Sequence, residues 1–265
     1  MRPKKSLSID PAPPRAFGIL NPMWIKCLTC EALARPVYLA AAFSPHTVDI
    51  ELLRRGLHNQ PPNLRARLQA AIDACEGQPF QAVALAYGLC GKALEGLQAR
   101  SIPLVIPRAH DCITLYLGSR ARYQEQFEQF PGTYWYSQDY IERNDGSGSA
   151  LSMGASSVGD VQAEYEGYVQ KFGKDNADYL MEVMGAWQKH YQRAVYIDTG
   201  LNDSNQVEDT ARAEAARRGW IFERLQGDLG LVRRLLSGDW QDDFLVLQPG
   251  QRVRMSVESD IITAE

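Results

Sequence analysis

The sequence lacks the features that would place the chain in a membrane or on nucleic acid. No apolar run approaches the ~20 residues that a membrane-spanning helix needs. The formal net charge is −4, so the basic excess of a nucleic-acid-binding domain is missing. The basic residues 1–5 are followed by prolines at positions 11, 13 and 14, where a signal peptide would need an apolar stretch. We therefore expect a cytoplasmic protein without nucleic-acid or membrane partners.

Nucleotide-binding loops are also missing, and histidine is scarce. The sequence contains neither a Walker loop nor G-x-G-x-x-G, so nothing in it favours nucleotide binding. Of the four histidines, His46, His58 and His190 have no reactive sequence neighbours and are assigned to surface positions. The five cysteines are not expected to form structural disulfides in a reducing compartment. Metal binding, catalysis and core packing remain as their possible roles.

Apolar runs alternate with helical periodicity through the first half of the chain. The pattern predicts strands at residues 23–28, 47–53, 82–87 and 102–106, with an aromatic strand at 131–136, and helices at 31–42, 63–75, 92–99 and 112–127. Strand–helix alternation is typical of a parallel sheet that is covered by helices. We therefore predict an α/β fold with a Rossmann-like parallel sheet and helices on both faces.

The second half of the chain predicts a smaller set of elements. Helices are expected at residues 161–192 and 205–218, and strands at 194–200, 221–225 and 244–247 around a helix at 229–236. Two α/β lobes, or one sheet shared by both halves, fit this pattern equally well. The predicted division is a flexible arm (1–20), a cysteine-bearing lobe (21–143), a Gly/Ser-rich loop (144–160) and a smaller lobe (161–265).

Four cysteines follow predicted strands, at points where a strand passes into a helix. If these strands are neighbours, the thiols converge at the C-terminal edge of the sheet, where open α/β sheets bind ligands. Thiolates gathered there suit a soft metal or an iron–sulfur cluster. We select Cys30, Cys90 and Cys112 as the metal ligands. Cys27 would point to the face opposite Cys30 and so could face the core, and its role is left open. Cys75 ends the apolar stripe of a helix and is assigned to packing.

Reactive side chains precede Cys112 in the segment Arg108-Ala109-His110-Asp111-Cys112. Arg108 could hold a carboxylate or phosphate, or offset the negative charge of a cluster. His110 could be a ligand, a proton donor or a partner of a cysteine sulfur. Asp111 could orient His110, act as a base or cap the helix that begins at Cys112. We assign Arg108, His110 and Asp111 to catalysis and leave these roles open.

Glycines flank Cys90 in Tyr87-Gly88-Leu89-Cys90-Gly91. The arrangement is similar to a strained turn that exposes a nucleophile above a sheet, so a covalent thiol enzyme is an alternative. Further polar residues follow the strand at 194–200 and could face the same cleft. The predicted cofactor-binding residues are Tyr87, Gly88, Gly91, Asp198 and Thr199.

Several of these segments resemble one protein family. The sequences YGLCG at 87–91, PLVIPRAHDCI at 103–113, LGSR at 117–120, PGTY at 131–134, YIDT at 196–199 and GD at 227–228 are similar to domain of unknown function 1638. The likeness extends over residues 24–253. The resemblance implies a connection with a metal or cofactor, and with corrinoid-dependent methyl transfer through neighbouring genes. It implies no established reaction.

The leading interpretation is a metal-dependent enzyme acting on a small anionic substrate. Three cysteine ligands would leave one iron of a [4Fe–4S] cluster open as a Lewis acid for non-redox elimination, hydrolysis or sulfur removal. One alternative places Zn²⁺ at the thiolates, with His110 and Cys112 as two ligands, for methyl transfer to a thiol. Another is a carrier that delivers metal or a corrinoid to a partner, such as a corrinoid protein, without turnover.

Overall fold

The computed structural model describes residues 21–90, 92–143, 169–170, 173–175, 191–256 and 260–265. The predicted arm at 1–20, the Gly/Ser-rich loop at 144–160 and most of the predicted helix at 161–192 lie outside the described residues. Within the described part, no helix combines the length and the apolar character needed to cross a bilayer.

The fold is mixed α/β and is organised around a five-stranded, mostly parallel sheet. Its spatial order is β2-β1-β3-β4-β8. The strands are β1 (Trp24–Cys30), β2 (Thr47–Leu53), β3 (Ala82–Ala86), β4 (Leu104–Pro107) and β8 (Phe244–Leu247). The first four are parallel to one another, and β8 runs antiparallel to β4. Both β3 and β4 are buried along their whole length, as their continuous apolar sequences predict.

A separate parallel sheet of three strands has the order β5-β6-β7. Its strands are β5 (Thr133–Ser137), β6 (Arg193–Asp198) and β7 (Ile221–Gln226). The last strands, β9 (Val253–Met255) and β10 (Ile262–Ala264), form an antiparallel pair. The chain thus builds two parallel sheets, and the first contains all three selected strand exits.

Helices connect and cover these sheets. They are α1 (Ala34–Ala42), α2 (Pro61–Asp73), α3 (Cys112–Leu117), α4 (Arg120–Gln129), α5 (Gln138–Glu142), α6 (Gln206–Arg218) and α7 (Gly230–Leu236). Short 3-10 helices follow β1 at Glu31–Leu33 and β2 at Arg55–Asn59. Pro61 and Pro62 open α2, where a missing N–H costs nothing, and Gly219 closes α6 in the left-handed conformation.

One apolar cluster joins the two sheets. It contains Ile25 and Cys27 of β1, Tyr116 of α3, and Trp135 and Val195 of the three-stranded sheet. Because these residues share one core, α3 is held between the two sheets. This burial fixes the position of α3, whose first residue is Cys112, and of the loop that leads into it.

The predicted helix at residues 92–99 is wrong. The segment forms turns, and Lys92 and Gly96 have left-handed φ values of 72° and 81°. Its backbone is hydrogen bonded to the C-terminal segment instead: the Gly96 N–H donates to the Val253 carbonyl at 2.8 Å, and the Val253 N–H donates to the Leu97 carbonyl at 2.8 Å. Backbone groups that would have formed helical hydrogen bonds are therefore bonded to the distant segment around Val253.

The predicted helix at 112–127 is also wrong in its continuity, because it is two helices. Gly118 ends α3 with a φ of 70°, and the Ser119 side chain accepts from the Arg122 N–H at 3.3 Å to begin α4. A Cβ at Gly118 would lie 2.6 Å from the Asp228 carbonyl oxygen. The break therefore lets the α7 connection pass close to α3.

The predicted second set of strands is wrong in one member. Phe244–Leu247 (β8) does not pair within the smaller set, because it lies against β4 with Leu104 opposite Leu247. Conversely, β5 precedes the predicted loop at 144–160 but pairs with β6. Strand periodicity does not specify a pairing partner, so sequence order alone misassigned these two strands.

Candidate metal centre at the edge of the five-stranded sheet

The three selected cysteines lie at the ends of adjacent parallel strands. Cys30 is the last residue of β1, Cys90 follows β3, and Cys112 begins α3 shortly after β4. The strands are neighbours in the order β1-β3-β4. Cys30 and Cys112 are 2% and 7% exposed, whereas Cys90 is partly exposed. All three are free thiols on one edge of the sheet.

The loops that carry Cys90 and Cys112 are interlocked. The Leu89 N–H donates to the carbonyls of Ala109 at 3.0 Å and His110 at 3.1 Å. A Cβ added at Gly88 would lie 2.4 Å from the Asp111 Cα, so only glycine allows this approach. The backbone of the loop after β3, which carries Cys90, therefore packs directly against the backbone of the loop before α3, which contains Asp111.

The backbone at Cys90 is strained. Its φ is 45°, in the left-handed region that non-glycine residues seldom occupy. Such a conformation costs on the order of 1–3 kcal/mol and is found most often at functional sites. The turn thus holds the Cys90 thiol at a defined position on this edge of the sheet.

The three thiols act on one another electrostatically. Burial raises the pKa of the Cys30 thiol to about 12, while the Ala32 backbone hydrogen bond and the cations Arg55 and Arg143 lower it. Burial also raises the pKa of Cys90 well above its usual value, and Cys30 adds to that rise. The pKa of Cys112 is raised in the same way by burial, by Asp111 and by the other two thiols. Without a compensating cation, the three thiols are therefore neutral at pH 7.

Among the described residues, no group of three or more His, Cys, Asp or Glu side chains is arranged to hold a metal ion. The three thiols are close enough to influence one another's ionisation, but they are not gathered around one point. Their role as metal ligands stays a prediction.

Two residues that the sequence analysis did not select, Arg55 and Tyr140, lie beside the thiols. The Arg55 side chain is buried at 1% exposure, and its guanidinium lies 4.4 Å from the centroid of the Tyr140 ring. Arg55 also lowers the pKa of Cys30. The thiols of Cys112, Cys30 and Cys90 contribute to raising the pKa of the Tyr140 hydroxyl. Arg55 lies two residues after the end of β2, another parallel strand, so its position at a strand exit was a usable signal. Tyr140 comes from α5, and nothing in the sequence placed α5 here.

Two buried polar atoms near the thiols lack hydrogen-bond partners in the described structure. The Tyr87 hydroxyl belongs to a side chain that is 1% exposed, and its pKa is raised by burial and by Cys30 and Cys90. The second atom is the buried His58 Nε2. The centroid of the His58 ring lies 6.2 Å from that of the Tyr87 ring. Burial and the Arg55 charge lower the pKa of His58 to about 4, so it is neutral at pH 7. The assignment of His58 to the surface is therefore wrong, and so is that of His46, which is 7% exposed.

Asp111 caps α3, which is one of the roles left open for it. Its Oδ1 accepts from the Ile113 N–H at 2.9 Å and the Thr114 N–H at 3.3 Å, and its Oδ2 accepts from the Tyr123 hydroxyl at 3.1 Å. Burial nevertheless raises the pKa of Asp111 to about 6, although these hydrogen bonds oppose the rise. His110 is exposed and stacks on Tyr123, with 5.7 Å between ring centroids. Asp111 raises the pKa of Cys90 and Cys112, whereas the exposed His110 ring packs on Tyr123.

The structure places Arg108 on the C-terminal segment. Its Nη1 donates to the carbonyls of Asp260, at 3.1 Å, and Ile262. The same atom is 3.8 Å from the Asp260 carboxylate. Arg108 thus secures β10 to the exit of β4, and its catalytic role stays a prediction.

Of the predicted cofactor-binding residues, Tyr87 and Gly88 lie at the thiol edge, and Gly91 is outside the described residues. Asp198 ends β6 on the other sheet, where its carboxylate accepts from the Gly200 N–H at 2.9 Å and pairs with Arg224 at 2.5 Å. Thr199 follows it at the same strand end. Their role in cofactor binding stays a prediction.

Cys27, whose role was left open, and Cys75, which was assigned to packing, are both buried in the core. Cys27 belongs to the cluster that joins the sheets, and Cys30 belongs to the cluster on the opposite face of β1. The opposite orientation of these two side chains is confirmed. Cys75 is 4% exposed, and its Sγ donates to the Ala71 carbonyl at 3.3 Å.

The fold and the strand-end thiols define a class of α/β proteins with a polar site at the C-terminal edge of a parallel sheet. The chain belongs to the DUF1638 family, described as protein of unknown function, whose family profile matches residues 52–236. The match contains Cys90 and Cys112, and Cys30 precedes it. It is shorter than the expected likeness over residues 24–253. No curated protein and no solved structure matches the chain.

Proposed function

We propose that the protein is a metal-dependent enzyme in which Cys30, Cys90 and Cys112 bind a [4Fe–4S] cluster. The observation that carries the proposal is the position of three free thiols on the adjacent ends of β1, β3 and β4. Thiolates are the usual ligands of such clusters. Three of them would leave one iron open to a substrate. We further propose that the five-stranded sheet is Rossmann-like in the broad sense of a doubly wound sheet, since its order begins β2-β1-β3-β4, as in the flavodoxin-like variant.

The separation of the strands favours a cluster over a single zinc ion. Neighbouring strands are about 4.8 Å apart, so β1 and β4 are separated by about 10 Å at the backbone. A single Zn²⁺ needs each sulfur at about 2.3 Å from one point. A cluster places its cysteine-bound irons at separate corners and so accepts more widely spaced thiolates. His110, the second ligand of the zinc alternative, is turned toward Tyr123.

Positive charge near the thiols would offset the negative charge of a thiolate-bound cluster. Arg55 and Arg143 both lower the pKa of Cys30, and they stabilise its thiolate form. Arg55 is held in place by the Tyr140 ring, and its Nη1 donates to the Tyr140 carbonyl at 3.4 Å. Because the guanidinium is buried, its attraction for an anion is weakly screened. We therefore assign to Arg55 the selection of an anionic substrate, one of the two roles that the sequence analysis offered for Arg108.

When bound, the cluster would supply an open iron that polarises a substrate oxygen or sulfur as a Lewis acid. The Tyr87 hydroxyl, buried and without a partner in the described structure, can donate a proton or hydrogen bond at this edge. The Asp111 carboxyl, close enough to raise the pKa of Cys90 and Cys112, can accept one. This set of groups suits non-redox elimination, hydrolysis or desulfurisation of a small anionic substrate.

The test is the iron and acid-labile sulfide content of anaerobically purified and reconstituted protein, together with its visible spectrum. We expect about four iron and four sulfide per chain for a cubane cluster. Changing Cys30, Cys90 or Cys112 to Ala should lower the retained iron and sulfide severely in each case. Changing Cys75 to Ala is the matched control, because that thiol is buried but lies away from the strand ends, and it should leave the content unchanged.

Two outcomes would overturn the proposed three-cysteine cluster site. One zinc per chain with no sulfide would return the thiols to the zinc interpretation. Full iron and sulfide in the Cys90→Ala protein would remove Cys90 from the ligand set. Circular dichroism of each variant separates loss of the cluster from loss of the fold.

A further inference from the structure

A cavity lies where β5, α5 and α6 meet, beside the three-stranded sheet. Its volume is about 450 Å³. Small-molecule sites have volumes of roughly 300–1,000 Å³ and walls that are mostly apolar. The apolar part of this wall consists of Tyr134 and Tyr136 from β5, Ile141 from α5 and Val207 from α6. The space therefore has the size and the lining of a site for a small organic molecule.

One residue of the wall, Gln138, carries a buried hydrogen-bond acceptor without a partner. Gln138 is 3% exposed, and its Oε1 has no hydrogen-bond partner in the described structure. Its Nε2 donates to the Glu142 Oε1 at 2.6 Å. Because a carboxylate only accepts, this bond fixes which end of the amide faces Glu142 and leaves the amide oxygen as the open group. A buried acceptor without a donor is costly in the free protein, so an N–H from a ligand would be favoured there.

The charged side chains of the wall are already paired within the protein. The Glu142 Oε2 accepts from the Arg35 Nη1 at 2.6 Å. The Glu214 Oε1 accepts from Arg217, the other charged member of the wall, at 2.7 Å. Among the described residues, the wall therefore offers no uncompensated charge. An ion that entered would lose hydration without gaining a counter-charge, so a neutral ligand is favoured.

The Tyr136 ring supplies an aromatic surface on the same wall. Tyr136 lies two residues before Gln138, and its ring packs beside the Tyr134 ring with 5.3 Å between centroids and an interplanar angle of 54°. In the described part of the chain, no cationic side chain lies over the Tyr136 ring. Aromatic rings that pack in tilted or offset pairs gain more than the burial of their area alone. A flat aromatic ligand is therefore favoured over an aliphatic one of the same size.

We propose that this cavity binds a neutral aromatic heterocycle that carries a ring N–H. The N–H donates to the Gln138 Oε1, and the ring packs against Tyr136. The apolar wall selects the ring, the open acceptor selects the N–H, and the paired charges select a neutral molecule. The inference goes beyond the proposed cluster enzyme and does not depend on the thiols or on the ionisation of any group.

The experiment is a ligand-observed NMR titration of the full chain with indole. Benzofuran is the matched probe, because it has the same size and ring shape but an oxygen in place of the N–H. We expect indole to bind with a dissociation constant about fivefold lower than that of benzofuran, as one net hydrogen bond predicts. Equal affinity for the two probes, or no binding of indole, would overturn the proposal.

The Gln138→Met variant tests the acceptor. Methionine has a similar length but cannot accept a strong hydrogen bond, so the preference for indole should disappear while benzofuran still binds. A general distortion of the cavity would instead weaken both probes. A preference for indole that persists in Gln138→Met would show that Gln138 is not the acceptor and would overturn the assignment.

The Thr210→Phe variant tests the location. Thr210 is an exposed residue of α6 that lines the cavity, so a larger ring there should fill the space and weaken both probes at least about tenfold. Ala216→Phe is the control, because Ala216 is exposed on the same helix away from the cavity wall. Unchanged binding in Thr210→Phe would place the probes elsewhere and contradict the site. Since both positions are exposed, this pair decides the result even if Gln138→Met does not fold.

Discussion

The two parallel sheets end in different chemistry at their carboxyl edges. The five-stranded sheet ends in buried thiols such as Cys30, and in the buried Arg55. The Tyr87 hydroxyl at the same edge has no partner in the described structure. The three-stranded sheet ends in Asp198, whose carboxylate is engaged by an exposed arginine and a backbone N–H. Both edges have the parallel topology that places strand exits together. Topology therefore supplies a location, and only desolvated, incompletely satisfied groups make it a candidate for catalysis.

The largest expected difference between the two edges comes from glycines that follow strands. Gly88→Ala should destabilise the protein by about 3 kcal/mol or more, because its Cβ would lie 2.4 Å from the Asp111 backbone. Gly227→Ala, at the exit of β7, should cost about 1 kcal/mol, because its closest contacts would be 3.1 Å. Urea unfolding of both variants measures the difference. Equal losses would mean that the interlock of the two loops adds no constraint.

The next largest effect is the pH dependence that His58 introduces at the thiol edge. Its pKa is about 4 in the folded protein and 6.5 in the unfolded chain, so between these values only the unfolded chain binds the proton. Stability should therefore fall as pH drops through this window, by about 3 kcal/mol at its acid end. The His58→Gln protein should lose that part of the acid dependence. If the free energies of unfolding of the two proteins change with pH in the same way between pH 7 and pH 4, the burial of a neutral imidazole would be contradicted.

A smaller effect distinguishes partnered from unpartnered hydroxyls. Tyr87→Phe removes a buried hydroxyl that has no partner in the described structure, so stability should stay unchanged or rise by about 1 kcal/mol. Tyr116→Phe removes a hydroxyl that donates to the Ala32 carbonyl, so it should cost about 1 kcal/mol. Thermal unfolding of the pair provides the measurement. A clear loss in Tyr87→Phe would mean that this hydroxyl is satisfied in solution.

The smallest effect belongs to the three-stranded edge. Arg224→Gln breaks the ion pair with Asp198 and should change stability by less than about 1 kcal/mol, because the Arg224 side chain is half exposed. The difference from wild type should shrink further in high salt. A loss of several kcal/mol that persists in salt would remove the contrast between the two edges.

Much of the fold was predictable from local patterns. The strands β2 and β8 match their predicted ranges, and α6 was found to within one residue with Gly219 as its C-cap. These elements have clear periodicity and clear stop signals. The wrong helix predictions are at residues 92–99 and at Gly118, where backbone groups of distant segments replace or interrupt the helix. Local propensity contains no information about such partners.

The candidate site divides in the same way. The ordering of strand exits in a parallel sheet was enough to place Cys30, Cys90 and Cys112 at one edge. It was not enough to find Tyr140, which arrives from the helix after β5, or to show that Arg108 is used by the C-terminal segment. Those outcomes depend on how the second sheet and the last strands pack against the first.

By itself, the sequence determined the α/β class, the parallel strand exits and the opposite orientations of Cys27 and Cys30, because these follow from short-range periodicity and strand geometry. Only the tertiary structure decided which strands pair, that β8 lies against β4, and that Arg55 and Tyr87 are desolvated beside the thiols. Pairing and burial depend on contacts between residues far apart in the chain. Their energies are set by the packed core, and no local sequence pattern contains them.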